Sequence, residues 1–502
     1  MTKVTRDRVA FSATTDAIAL LEQLVSFFRR RSIPCYLVGG FVRDGLLGRP
    51  SVDIDIALTG NIKTVASEAA SLFRGKVVPL DEVHQITRVV LYHAGRRWHV
   101  DFSALRGRIE EDLGHRDFTI DAMALDLVET EGNWSHIPVI DPLGGEHDLR
   151  KRLIRAVNDH VFRDDPARLL RGVRLASVLD FQLEPHTVSL MKQAQALVTT
   201  VAGERLKDEI SLIFESSRAY QAVRMLDRLG LLDILFPELA EAKGVEQPKE
   251  HYWNVFDHSL ETVLAVEKII GAPPAEEDDS ILELVPLTEA VRAHFCERVA
   301  GMSRSGLIKL AALLHDVAKP STKTTESTGR MRFFGHGKEG AETTSHILRR
   351  LRFSNRQIRM ISTMIEHHLR PGFLSAADVP SRRAIYRYFR DTEDVGIDIL
   401  YLSLADHLAA RGPALDLDEW RRHCEFTGYV VSKWFEERTT VVPPRLIDGH
   451  AIIEKFALEP GPAIGELLEM VREAQAAGDI RTPEEALALV AEHLEKGTSE
   501  PR

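Results

Sequence analysis

Between Asp16 and Arg31 the apolar residues recur every three or four positions and the stretch closes on Arg29, Arg30 and Arg31. That spacing predicts a helix whose basic last turn meets the negative end of its dipole. The period then shortens. "PCYLVGG" at 34–40 reads as a short buried strand ending in a glycine turn, and "VDIDIAL" at 52–58 as a second strand. "RVVLYHAGRRWHVDFSAL" at 88–105 reads as a hairpin turning at Ala94-Gly95. Strand signals are confined to the first 140 or so residues. From about Arg150 onward long amphipathic stretches take over, among them "PARLLRGVRLASVL", "SLIFESSRAYQAVRMLDRLGLL" and "LIKLAALLHDVA", and predict a mostly helical remainder. The order implies an α+β fold, a small head with a mixed β-sheet and helices followed by all-α segments. "GAPPAEEDDSILELVPLTEAV" at 271–291, rich in proline and acid, predicts a surface insertion between later helices. No internal repeat of fixed period is present.

Composition narrows this picture. With 502 residues and 44% apolar content the chain can bury a large core and is expected to form three or so domains. Charged residues make up 28%, no run approaches the eighteen or so apolar residues of a membrane span, and the first residues lack a signal-peptide core. A cytoplasmic protein with no membrane association is expected. Cys35, Cys296 and Cys424 have no metal or redox spacing and read as packing residues. A net charge of −11 argues against a protein that coats nucleic acid indiscriminately, because such binding rests on surplus cations. A local basic groove remains available in Arg150, Lys151, Arg152, Arg155, Arg163, Arg168, Arg171 and Arg174.

The chemistry concentrates in two places. On a strand, residues two apart share a face, so Asp53 and Asp55 project together while Ile54 and Ile56 face the core. Two aligned carboxylates that leave positions for water and phosphate suit Mg²⁺. Asp101 in "HVDFSAL" is a plausible third ligand from another strand. Upstream, Gly39 and Gly40 can bring bare backbone N–H groups to an anion, and Arg43 can hold phosphate oxygens in its fork. The pattern lacks the lysine of a P-loop and the third glycine of a dinucleotide fold.

The stretch "GGFVRDGLLGRPSVDIDIA" resembles the signature of the class II tRNA nucleotidyltransferase and bacterial poly(A) polymerase family, whose catalytic domain is polymerase β-like. The resemblance implies nucleotide binding by Gly39, Gly40, Arg43 and Asp44 beside the catalytic Asp53, Asp55 and Asp101. "DLGHRDFTIDAMAL" is similar to the second motif and brings Arg116, Asp117 and Asp121 to the nucleotide, with His115 where an arginine is usual and Asp121 where an asparagine is usual. "VIDPLGGEHDLRKRLIRAV" resembles the hinge-like third motif and "FRDDPARLLRGVRLASVLDF" the fourth, with Asp164 in place of a glutamate. In that family the aspartate and arginine of the fourth motif, here Asp165 and Arg168, select the base without a nucleic-acid template. A helix would put them at i and i+3 on one face, with Arg171 one turn later reaching phosphate and Arg174 beyond it. "GERLKDEISLIF" resembles the fifth motif, in which Glu204 and Arg205 are structural, and the stretch from Leu446 onward resembles a tRNA-gripping tail.

A second constellation spans "HYWNVFDHSLETV", "ALLHDVAKP", "GHGKEGAE", "EHH" and "LSLADHLAA". His315 and Asp316 are adjacent at a helix end, where two neighbouring polar side chains face the core together only if something holds them, and a metal is the economical explanation. The set resembles the HD phosphohydrolase superfamily. The resemblance implies His258, His315, Asp316 and Asp406 as ligands of Mg²⁺ or a transition metal, with His336 and either His367 or His368 completing a two-metal site.

The expected segments are a catalytic head at 1–140, a helical neck at 141–245, an HD domain at 246–415 and a tRNA-binding tail at 416–502. The leading expectation is addition of CCA to tRNA from CTP and ATP, with a second phosphohydrolase activity in the HD domain and no stable protein partner. A CC-adding, A-adding or poly(A)-adding enzyme is the alternative within the family. A chain that is mainly an HD phosphohydrolase with an RNA-binding head is the alternative from another class.

Overall fold

The computed structural model describes residues 8–81, 85–130, 134, 136–271, 280–375, 379–441 and 443–497. They form two compact units, residues 1–201 with 228–231 and residues 202–227 with 232–502. The expected neck segment is thus shared, its first part joining the head and 202–227 joining the later helices.

The first unit is built on a mixed sheet of β1 (Arg8–Ala10), β2 (Cys35–Val38), β3 (Asp53–Leu58), β4 (Lys76–Asp81), β5 (Ile86–His93), β6 (Arg96–Ala104), β7 (Ala124–Asp126) and β8 (His136–Ile140), in the order β1-β8-β7-β2-β3-β6-β5-β4. The predicted hairpin is β5–β6, closed by Ala94 and Gly95 at φ 49° and 75°, as a tight primed turn requires. β3 lies between β2 and β6, buried on its Ile54 and Ile56 face. The helix Thr15–Arg31 packs Leu20, Leu24, Phe27 and Phe28 inward, and Thr14 caps it by accepting from Ala17 N at 3.2 Å. β3 and β6 run parallel with Asp53 opposite His99 and Asp55 opposite Asp101. That register decides what the catalytic face contains.

Strand structure does not stop at residue 140. Leu153–Ile154 pairs parallel with Gln182–Leu183, and two short antiparallel pairs, Arg298–Val299 with Met302–Ser303 and Lys323–Thr325 with Met331–Phe333, lie in the second unit. Segments of two or three residues carry no readable alternation, so no sequence pattern could announce them.

The second unit is helical, and "LIKLAALL" departs from the amphipathic expectation. In the helix Arg304–Leu314 every residue but Ser305 is buried. The helices Gly203–Glu215, Val255–Ile270, Asn355–His367 and Gly396–Arg411 surround it. Two of its buried residues are cations. Arg304 Nη1 donates to Asp398 at 2.8 Å, and His294 Nε2 stands 3.0 Å from the same carboxylate, which has no solvent exposure. Arg304→Ala strands that charge, and a loss of about 3–5 kcal/mol is expected in urea unfolding. Glu204, in the helix Gly203–Glu215, is exposed and 3.6 Å from Arg352.

Residues 272–279 of the expected insertion lie outside the described residues. Its second half is not superficial. Val285 and Val291 are buried, and Ile281 O accepts from Trp420 Nε1 at 2.9 Å. The last helices, Gly449–Phe456, Pro462–Ala477 and Pro483–Gly497, enclose a core of Ile447, Ile452, Leu467, Val471 and Val490. Arg387 and Arg390 of the helix Arg382–Thr392 pair with Glu473 and Glu469 and tie this bundle to the rest of the unit. Among the described residues no helix is long and apolar enough to cross a membrane.

Candidate functional sites

The alternation of β3 delivers its two carboxylates to the face opposite the core, as the sequence predicted. Asp53 has a side chain 64% exposed, whereas Asp55 is largely buried. Burial pushes the Asp55 carboxyl up to about 6; Arg116 opposes this, while Asp101 and Asp53 add to it. Crowded like charges of this kind are what a divalent cation relieves, and hard oxygen donors on one face fit Mg²⁺. Asp101 stands beside Asp55 in the register, but Arg88 Nε and Nη2 donate to its two oxygens at 2.7 and 2.8 Å. The sequence offered Asp101 as a third ligand; the structure gives it a bidentate guanidinium partner.

Gly39 has φ +73°, and a Cβ there would lie 2.9 Å from Arg116 Nη1 and 3.3 Å from Asp55 Oδ2. The glycine is needed both for the left-handed backbone and for the close approach of those two side chains. Gly39→Ala is expected to lower nucleotidyl transfer steeply and to cost about 1–2 kcal/mol of stability from the backbone alone. Kinetics with a paired thermal melt separate the two effects. Gly40 opens a helix of only seven residues, Gly40–Leu46. Arg43 is held at both ends, Nε by Asp44 at 2.9 Å and Nη1 by Asp121 at 2.7 Å. Its fork is spent on carboxylates rather than left open for phosphate.

The fourth-motif pair differs from expectation in local structure. Asp165 is not helical but extended, at φ −149° and ψ 98°, because Pro166 follows and disfavours helical backbone in the residue before it. The helix begins at Arg168. The two side chains still meet, with Arg168 Nε 3.8 Å from Asp165 Oδ2. Arg168 Nη2 donates to His115 O at 2.9 Å, and Nη1 to Arg116 O and Val161 O at 3.3 and 3.4 Å. Backbone carbonyls therefore fix the plane of the guanidinium. His115, the departure in the second motif, contributes through its carbonyl, and its exposed ring Nδ1 sits 2.8 Å from Glu111 O.

Asp117 is 5% exposed, accepts from Phe118 N at 2.8 Å and from Arg171 Nη1 at 3.0 Å, and its carboxyl is held below the usual range as Arg171 and Arg168 outweigh burial. It anchors Arg171 rather than facing open solvent. Arg174 lies one turn further on the same helix, partly buried. Of the basic cluster, Arg150 pairs with Glu146 and Arg155 with Asp148 and Glu184. Asp164 is 54% exposed.

In the second unit six of the seven sequence-predicted metal residues converge. Ligand atoms of His258, His315 and Asp316, and of Asp316, His336 and His368, lie within 4.8 Å of one another in each set, with Asp316 common to both. Asp406 Oδ1 is 2.9 Å from His258 Nε2 and 3.7 Å from His315 Nε2. His315 ends the helix Arg304–Leu314, and its Nδ1 is 2.8 Å from Ala312 O, which turns Nε2 inward. Burial and its cationic neighbours leave Asp316 and Asp406 well below the usual carboxylate range, the cations prevailing. Burial pushes His368 down to about 4, a neutral imidazole. Nε2 of His258 and of His315 and both Asp316 oxygens are buried and, among the described residues, have no well-aligned hydrogen bond, although Asp406 Oδ1 is 2.9 Å from His258 Nε2 and Lys319 Nζ is 2.6 Å from Asp316. Burial opposes protonation of His315, but Asp316 and Asp406 push its imidazole up to about 10, so that ring would give up its proton to a bound metal. Together with the burial-lowered His258 and His368, the ionised carboxylates and the inward atoms without a well-aligned hydrogen bond, the cluster fits one or two divalent cations. His367 does not join them. One residue's rotation about the helix turns it toward Arg370 and Asp391.

Sequence reasoning missed four residues at these sites: Arg88 and His99 on the catalytic face, and His251 and Lys319 at the histidine cluster. His99 shares the strand face of Asp101 by alternation, and Lys319 follows Asp316 by one helical turn, so both were within reach of a spacing argument.

Residues 35–155 match the Poly A polymerase head domain family, 180–243 the probable RNA and SrmB-binding site of polymerase A, and 255–411 the HD domain. The A-adding tRNA nucleotidyltransferase of Deinococcus radiodurans is 34% identical over 92% of this chain and 98% of its own length. The CC-adding tRNA nucleotidyltransferase of Thermus thermophilus is 32% identical over 90% and 92%. The fold is shared with the Thermotoga maritima CCA-adding enzyme complexed with tRNA, at a TM-score of 0.56 and 24% identity over 96% of both chains.

Proposed function

Since the chain belongs to the family of tRNA nucleotidyltransferases with a poly(A) polymerase head and an HD domain, we propose that it adds CCA to the 3′ end of tRNA from CTP and ATP. Nucleotidyl transfer to the tRNA 3′ end is the activity shared by its relatives, and the family is divalent-metal dependent. The observation that carries the finer reading is the Asp165–Arg168 pair with its guanidinium fixed by backbone carbonyls. Cytosine and adenine both present an exocyclic amino group beside an unprotonated ring nitrogen. A carboxylate accepts from the first and a guanidinium donates to the second. Uracil and guanine present the reverse, a carbonyl beside a ring N–H. One rigid pair therefore accepts both C and A and refuses U and G, which suits an enzyme that uses both triphosphates.

Asp53 and Asp55 would hold Mg²⁺, which when bound would supply neutralisation of the triphosphate and a more acidic 3′-hydroxyl. The chain's own part is positional. Gly39 lets Arg116 approach Asp55, and Asp117 holds Arg171 where its partly exposed guanidinium meets phosphate oxygens. The test supplies purified protein with tRNA lacking CCA, lacking CA and lacking A, with CTP and ATP separately and together. Complete CCA addition to the first acceptor supports the reading. Addition of A alone to the last acceptor supports the narrower reading suggested by the 34% identical A-adding relative. No incorporation on any acceptor overturns both.

The histidine cluster of the second unit supports a further reading, hydrolysis of a phosphate ester. His258, His315, Asp316, His336 and His368 would hold divalent cations there, which would supply a polarised phosphate and an activated water.

A further inference from the structure

We propose that His99 is a positioning residue for the transfer reaction, holding the exposed carboxylate of Asp53 in the orientation that receives the divalent cation. The inference rests on the assignment of Asp53 and Asp55 as the head metal pair. Asp53 begins its strand, and with a side chain 64% exposed it has little packing to select a rotamer. His99 lies directly across from it in the parallel register, and its Nδ1 is 2.8 Å from Asp53 Oδ1. A carboxylate oxygen accepts, so the tautomer that makes this contact has its proton on Nδ1 and donates it. The ring's other nitrogen, Nε2, is buried and has no hydrogen-bond partner among the described residues. The imidazole thus spends its one strong interaction on Asp53 and occupies Oδ1, leaving Oδ2 outside that hydrogen bond. Trp98 and Val100, on the opposite face of β6, are buried at 1% and 0%, so the strand that carries His99 is itself fixed.

Asp101, two residues on from His99 in β6, is held by Arg88 from the neighbouring β5, so the two outer carboxylates of the face each have a donor directly across in the register. Asp55, between them, is governed by burial and by Arg116. Outer partners that orient metal-ligating carboxylates in this way contribute about 10–100-fold to metal affinity or activity.

The experiment compares wild type, His99→Ala and His99→Asn in the full-length chain. The amide of asparagine places a donor close to the position of Nδ1. Mn²⁺ binding is followed by electron paramagnetic resonance, and the component lost in Asp53→Ala defines the head site. That component is expected to weaken about 10–100-fold in His99→Ala and to recover most of the loss in His99→Asn. The Mg²⁺ concentration giving half-maximal incorporation shifts in parallel, while KM for the nucleotide stays near wild type. A lowered melting temperature with an unchanged Mn²⁺ component overturns the proposal, as does failure of asparagine to restore binding in a stably folded variant. If Asp53→Ala itself still extends tRNA, it is the assignment of the metal pair that fails, not the role of His99 alone.

Discussion

Asp53→Ala is expected to reduce nucleotide addition to tRNA by about 10³-fold or more, because several kcal/mol of transition-state charge stabilisation disappear with one of the two shared ligands. The residue has a side chain 64% exposed and its carboxylate meets the His99 ring, so its removal leaves no buried charge unpaired. The melting temperature should therefore stay near that of wild type, unlike that of Arg304→Ala. Asp55→Ala should match it in activity and should not lower the melting temperature, because burial pushes the Asp55 carboxyl up to about 6 with Asp101 and Asp53 adding to it, so the folded protein loses a crowded charge rather than a favourable one. Single-turnover incorporation and calorimetry on the two variants make the comparison. Wild-type incorporation by Asp53→Ala would remove the basis of the head assignment.

The second large effect is expected at Asp316. It is 1% exposed, common to both candidate ligand sets, and within 4 Å of His258, His315, His336, His368 and Lys319. Asp316→Ala should empty both metal positions together, which elemental analysis of the purified protein reads directly, and should abolish hydrolysis of a simple phosphodiester such as bis-p-nitrophenyl phosphate. Removing one partner of a buried charge cluster also costs about 3–5 kcal/mol, so Asp316→Asn, which keeps the volume, is the variant to trust if the alanine form unfolds. Incorporation of CTP and ATP by the asparagine form should be unaffected. Retention of metal by both variants would show that the cluster is not the site.

What the sequence made legible follows from period and spacing. Alternation in "VDIDIAL" placed Asp53 and Asp55 on one face, and adjacency in "LLHDVAKP" pointed to a held pair of polar residues; both survive in the structure. What it hid depends on register and on distant partners. Alternation puts His99 and Asp101 on one face of β6, but only the parallel pairing with β3 brings them opposite Asp53 and Asp55. The Arg43–Asp121 pair joins positions 78 residues apart, so an arginine that reads as a phosphate clamp is found holding a carboxylate. Pro166 was in plain sight, and its effect on the residue before it predicts the extended Asp165 better than helical spacing does. The buried helix Arg304–Leu314 reads as amphipathic in "LIKLAALLHDVA" because Lys309 and Asp316, seven residues apart, imitate a polar stripe. In the fold both are internal, Lys309 donating to Ser216 O and Asp316 facing the histidine cluster.

The central claim is that an Asp–Arg pair in the protein chooses the base by its amino edge. The direct measurement is single-turnover incorporation of CTP against UTP, and of ATP against GTP, on acceptors matched to each step. A site built to hydrogen-bond one edge is expected to reject the reversed edge by about 10⁴-fold. Arg168→Ala should collapse that ratio, with tRNA binding retained. Comparable incorporation of UTP or GTP by the wild-type chain, or full discrimination by Arg168→Ala, would contradict the account.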